Sequence, residues 1–176
     1  MATSTQQAWN SPVEFDLNGT FAGYWAAALR IITGYWMLYA GVTKFAFVAG
    51  EPFDASGWML NATGGSPIHG FFAWAAGTPW LLEFTNVMIP LGETLIGLGL
   101  LVGGLVRLAA FFGGILMTFF YLGNAAWSHG FVNGDLMGLL LFVTVGVLGA
   151  GRVLGLDALI EQTDVGDTRA AKLLLG

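Results

Sequence analysis

The chain has 176 residues, 56% of them hydrophobic and 10% charged, with a mean hydropathy of +0.71. A soluble domain carries about a quarter of its residues as charges, so this composition excludes an ordinary soluble fold and points to a membrane protein. The net charge of −5 with six scattered Lys and Arg excludes a nucleic-acid-binding patch, and the absence of cysteine excludes disulfides, thiolate metal sites and iron–sulfur clusters.

Residues 1–20 are polar and contain neither Lys nor Arg, which is not the n-region of a signal peptide; a polar cytoplasmic tail is expected. Apolar runs at 21–48, 79–105, 106–127 and 133–153 each reach the ~20 helical residues needed to cross ~30 Å of hydrocarbon. Backbone groups in lipid must be satisfied within each helix, so the expected fold is all-α, an integral membrane four-helix bundle over residues 21–157. In the connection after the first run, Ser66-Pro67 reads as a helix start and Gly77 as a helix end. Ile68, Phe71, Phe72 and Trp74 between them predict a short interfacial helix at 67–76. Thr78-Pro79 repeats the start signal, and Gly103, Gly104 and Arg107 mark the turn between the second and third runs. Residues 158–176 form a second expected cytoplasmic tail. Arg107, Arg152, Arg169 and Lys172 cluster at the second connection and this tail, so the positive-inside rule puts both termini in the cytoplasm.

Charges within apolar helices cost at least about 2.5–3.5 kcal/mol near the bilayer centre and should face protein or water. On the second run Glu83, Asn86, Pro90 and Glu93 are spaced three, four and three apart, one helical stripe. On the first, Arg30 and Lys44 share a stripe with Gly34, Met37 and Gly41. Tyr121, Asn124 and Ser128 on the third and Asp135 and Gly138 on the fourth face the same interior. Depth at ~1.5 Å per residue predicts the pairs Lys44–Glu83 near the outer end and Arg30–Glu93 deeper, with a kink at Pro90. Two readings stay open. The pairs fix helix register, or they line an outward-opening polar pocket in which Glu93, Lys44 and Glu83 handle a head group or a proton and Arg30, Asn86, Tyr121, Asn124 and Asp135 complete the wall. Asp135 alone also reads as a first-turn residue favoured by the helix dipole.

His69 and His129 fall in outer connections, where a bis-histidine haem is not expected, and no spacing resembles a metal site. Gly99–Gly103, Gly134–Gly138 and Gly151–Gly155 have GxxxG spacing, which allows close packing within the chain or in a homo-oligomer. Trp25, Trp58, Trp74, Trp80 and Trp127 fall near helix ends as an aromatic belt would, with Trp36 the exception.

Over residues 28–157 the chain resembles the DoxX family, which includes the DoxD-type small subunit of thiosulfate:quinone oxidoreductase. The residues that carry the resemblance are Arg30, Gly34, Tyr39-Ala40-Gly41 and Lys44, then Gly92-Glu93, Gly97-Leu98-Gly99-Leu100-Leu101, Gly103 and Arg107, and finally Gly151-Arg152 and Gly155-Leu156-Asp157. The resemblance implies a four-helix membrane protein working beside redox enzymes, with a quinone as the cofactor and a redox partner subunit, while the residues themselves lead us to expect no metal or haem. The leading expectation is a membrane subunit of a quinone-dependent oxidoreductase. The rivals are a non-catalytic scaffold or assembly subunit, favoured by the lack of any cofactor motif, and a small-solute carrier using the polar interior.

Overall fold

The computed structural model describes residues 21–126, 130–164, 166 and 168–176, without the side chains of residues 170 and 172. The tail at 1–20, the candidates Trp127, Ser128 and His129, and the Lys172 side chain lie outside the described residues. The regular elements among the described residues are all helical. The longest are α1 (Phe21–Val42), α4 (Pro79–Val102), α5 (Val106–Gly123) and α6 (Gly134–Val147). Between α1 and α4 lie α2 (Ala46–Ala49), a π-helical turn (Trp58–Ala62) and α3 (His69–Ala76). After α6 come a 3-10 turn (Ala150–Arg152), α7 (Leu156–Ile160) and α8 (Arg169–Leu174). By length and composition α4 and α5 suffice to cross a membrane, and α6 is apolar but shorter.

All four long helices stop earlier than their apolar runs, and for α1, α4 and α6 the local reason is visible. At the end of α1 the Thr43 hydroxyl donates to Tyr39 O at 2.8 Å and Lys44 Nζ to Ala40 O at 3.0 Å. These side chains take up final-turn carbonyls, and the chain bends into α2 instead of continuing to 48. Gly103 (φ 69°) ends α4 and Gly149 (φ 59°) follows the end of α6, in the left-handed region that glycine enters without strain. The short helix in the first connection begins at His69 rather than 67. The Ser66 hydroxyl accepts from Ile68 N at 3.1 Å and donates to Leu122 O at 2.6 Å, so it ties the turn before α3 to the top of α5.

The closest helix approach lies between α1 and α4, which run antiparallel. Gly97 faces the Leu38 backbone, Gly41 faces Thr94, and Gly34 faces Leu100 and Leu101. A Cβ on Gly97 or Gly41 would collide with main-chain atoms, so three small residues set this spacing, as small residues do between membrane helices. The expected GxxxG glycines act differently. Gly138 receives Trp36 and Met117, whereas Gly134 faces open space. On α5, Gly113 receives the Phe142 ring, and Met37, Leu100, Val106, Met117, Phe142 and Val145 fill the core.

Large apolar side chains face outward as well as into the core. Ile31, Ile32 and Tyr35 on α1, Leu95 and Leu98 on α4, Phe111 and Phe112 on α5, and Leu140 and Val143 on α6 are exposed. Arg30, Glu93 and Asp157 are buried.

At the end carrying the α4–α5 turn, called lower here, Arg30 and Asp157 form a knot. Arg30 Nη1 donates to Leu100 O at 2.6 Å and Leu101 O at 3.3 Å, and Nη2 to Leu154 O at 2.9 Å and Val153 O at 3.4 Å. Asp157 accepts from Leu105 N at 2.7 Å and Val106 N at 3.0 Å, satisfying orphan donors at the start of α5. It also accepts from Gly176 N at 3.0 Å, and Leu175 and Ala171 are buried. Ala171, Leu175 and Gly176, within the segment expected as a cytoplasmic tail, therefore pack against the lower end.

Candidate functional site

At the upper end α4 runs past the end of α1. Gly41 meets α4 at Pro90 and Thr94, which leaves the first three turns of α4 without α1 beside them. The connection 43–78 fills that space as a cap. Asn86 Oδ1 accepts from Ala55 N at 2.8 Å and fastens the cap to α4. Ala55, Met59, Phe72 and Ala75 give it a small core of its own.

Under the cap is a cavity of about 580 Å³, within the ~300–1,000 Å³ usual for small-molecule sites. Its roof is Trp58, Phe71, Phe72 and Ala75, one side is Leu81, Phe84, Thr85, Met88 and Ile89 of α4, and the other is Leu116, Phe119 and Phe120 of α5. Trp58 meets Phe72 and Phe120 edge-to-face at centroid distances of 5.1 and 5.6 Å, which fixes the indole. Lys44, Asp54, Asn124 and Asp135 also line the cavity.

Lys44 and Glu93 form the charged pair of the site. Lys44 Nζ donates to Glu93 Oε2 at 2.6 Å, with the lysine side chain 28% exposed and the glutamate 2% exposed. The ammonium also lies 5.9 Å from the centroid of the Phe53 ring, within cation–π range. Glu93 thus lies behind Lys44, and Lys44 faces the cavity. Asp54 accepts from the Ser56 hydroxyl at 2.7 Å and Ser56 N at 2.9 Å; these bonds hold its carboxyl below the usual carboxylate range. Asn124 Nδ2 donates to Asp135 Oδ2 at 2.8 Å, linking α5 to the first turn of α6.

The pairs Lys44–Glu83 and Arg30–Glu93 do not form. Glu83 is exposed, ten residues before Glu93 and so roughly 15 Å further up α4. Flush upper ends with a first helix reaching 48 would have brought Glu83 to Lys44, but α1 stops at Val42. Arg30 lies about 21 Å below Lys44 and its guanidinium is taken up by four carbonyls, so it is no part of the cavity. Asn86 anchors the cap and Tyr121 donates to Phe131 O at 3.0 Å; neither lines the cavity. Lys44, Asn124 and Asp135 do converge on it, with Glu93 behind.

Reading the residues alone missed the aromatic wall. Trp58 was expected in an interfacial belt and lies in the roof. Signals were present in the spacing of Leu81, Thr85 and Met88 and of Leu116, Phe119 and Phe120, which place successive side chains on one face. No protein-family model, curated protein or solved structure matches the chain.

Proposed function

We propose that the chain is a multi-pass membrane subunit that holds the ring of a quinone under its cap and passes protons to it, serving a partner redox subunit in quinone-linked oxidoreduction of the thiosulfate:quinone type. The single observation that carries the reading is the cavity: an aromatic roof and α5 wall, a largely aliphatic α4 wall, and a polar rim of Asp54, Asn124, Asp135 and one ammonium, Lys44, backed by a buried carboxylate. A flat, apolar ring with carbonyl oxygens suits these walls and that donor.

The exposed apolar faces of α1, α4, α5 and α6 support a four-helix bundle spanning the bilayer, since contiguous apolar surface of this extent is not left to water. Arg107 and Arg152 lie at the lower end, so this reading puts that end, and both termini, in the cytoplasm. The cavity then opens near the opposite surface. The resemblance to the DoxX family agrees with this arrangement.

A bound quinone supplies a two-electron, two-proton couple, the electrons coming from the partner. Lys44 Nζ orients the ring by donating to a carbonyl oxygen and holds a proton there. Glu93 would keep Lys44 in place through the 2.6 Å contact, and water at the exposed side of Lys44 would return the proton that the ammonium gives up and supply the second proton of the couple. The aromatic roof would cover the ring, while Lys44 keeps contact with water on its exposed side.

The test is Lys44→Met and Glu93→Gln in the protein with its partner. A hydrogen bond to a charged group contributes about 1.5–3 kcal/mol, so Lys44→Met should weaken ring binding roughly tenfold to a hundredfold. Glu93→Gln should abolish quinone-dependent turnover while the protein stays folded in the membrane. If both variants turn over as the parent does, the pair only fixes register and the scaffold reading takes its place.

A further inference from the structure

The rim of the capped cavity carries more negative than positive charge. Lys44 is the one cation lining it among the described residues, and its charge is already engaged. The ammonium donates to Glu93 Oε2 at 2.6 Å and to Ala40 O at 3.0 Å. Asp54 and Asp135 also line the cavity, and neither forms an ion pair among the described residues. Asp54 accepts from Ser56 and Asp135 from Asn124, donors without charge. With Lys44 offset by Glu93, these two carboxylates are the charges left over. Glu51 in the cap and Glu83 near the start of α4 are exposed at the same end, so the field over the rim is negative.

Aromatic rings lie behind those carboxylates. Trp58, Phe71 and Phe72 form the roof, Phe84 stands on α4, and Phe119 and Phe120 on α5. A ring is negative over its face and attracts a cation placed there, most strongly where water is excluded. The protein makes this contact with its own side chains, since Lys44 Nζ lies 5.9 Å from the centroid of Phe53. Carboxylates at a rim with rings behind them favour positive charge carried on an aromatic body. A small hydrated cation gains little from the rings, and an anion is repelled by the rim.

We infer that the cavity also binds organic cations bearing aromatic groups, drawn in by Asp54 and Asp135 and held against its rings. This goes beyond the quinone reading and does not depend on it.

Tetraphenylphosphonium and tetraphenylborate are the probes, alike in size and shape and opposite in charge. Their binding to the protein is measured in nanodiscs of zwitterionic phospholipid, with empty nanodiscs as the reference for partition into lipid. The phosphonium should bind and the borate should not. Asp54→Asn and Asp135→Asn keep the shape of each side chain and one acceptor oxygen. Each should weaken the phosphonium roughly two- to fivefold, and the double variant roughly tenfold. Raising the ionic strength from about 0.01 M to about 1 M should weaken it in the parent as well, a readout that needs no variant to fold. Equal binding of both probes, no phosphonium binding, or unchanged phosphonium affinity in the double variant would each overturn the inference. A short-tailed benzoquinone should displace the phosphonium, because both occupy one cavity. Phosphonium binding that depends on Asp54 and Asp135 but resists the quinone would overturn the quinone reading and support this one. Quinone binding without phosphonium binding would overturn this one alone.

Discussion

At the scale of single residues the account turns on two charged groups that one stripe of α1 separates into different tasks. Lys44 and Arg30 lie fourteen residues apart on the same helical face, and each meets a different set of acceptors. Lys44 ends at a buried carboxylate beside a cavity, Arg30 at four backbone carbonyls. Removing one partner of a buried pair leaves an uncompensated charge and costs about 3–5 kcal/mol, so Lys44→Met should lower stability by roughly that amount, somewhat less for the 28% exposure of the lysine. The double variant Lys44→Met/Glu93→Leu should recover most of that loss in a detergent thermal melt, because paired burial against apolar residues is close to neutral, yet its quinone binding should stay roughly tenfold to a hundredfold weaker than the parent's. Arg30→Met should also cost about 3–5 kcal/mol, since buried carbonyls lose their donors and Asp157 a compensating charge. Its folded fraction should bind quinone with parental affinity, because the site is ~21 Å away. Weakened binding in folded Arg30→Met would show that the two ends are coupled, against this division.

At the scale of elements, the stripes of polar residues were legible in the sequence and their partners were not. Helical period alone places Arg30, Lys44, Glu83 and Glu93 inward; Arg30 and Glu93 are buried and Lys44 partly so, but Glu83, above the end of α1, is exposed. Which meets which depends on how far α1 slides along α4, and that is set by Gly34, Gly41 and Gly97 together with the stop after Val42. Gly97 enters the sequence reading only through the family resemblance, because a glycine's need for closeness appears only once the facing backbone is known. The same ignorance of stagger hid the cavity: Trp58 reads as a belt residue until the cap folds over the unaccompanied turns of α4. Two glycines five residues apart on α4 should therefore respond with opposite sign. Gly92 has open space where a Cβ would go, so Gly92→Ala should stabilise α4 by about 0.5–1 kcal/mol. Gly97→Ala should destabilise it, by ~1–3 kcal/mol, because the methyl forces α1 away. Equal responses in a melt would mean that α1 and α4 are not held at glycine contact.

At the scale of the whole molecule, two features make topology testable. The chain lacks cysteine, so each introduced thiol reports on itself alone. Gly57 lies in the cap with nothing near its Cα face, and Leu173 is 74% exposed at the lower end. A membrane-impermeant maleimide applied to intact cells should label Gly57→Cys and leave Leu173→Cys unlabelled until the membrane is opened. The reverse pattern would put the cavity on the cytoplasmic side. Labelling of Gly57→Cys alone would fit the proposal that lipid surrounds the apolar sides between the polar knot at the lower end and the capped cavity at the upper end.

The central claim is that a quinone ring sits under the cap between α4 and α5. Photolabelling with an azido-benzoquinone bearing a short tail, followed by peptide mapping, tests it most directly. The account predicts labelling concentrated on the segments containing Trp58 and Phe119–Phe120, competed away by unlabelled quinone and strongly reduced in Lys44→Met/Glu93→Leu. Labelling spread evenly over the exposed faces of α1, α5 and α6, with no competition, would contradict it.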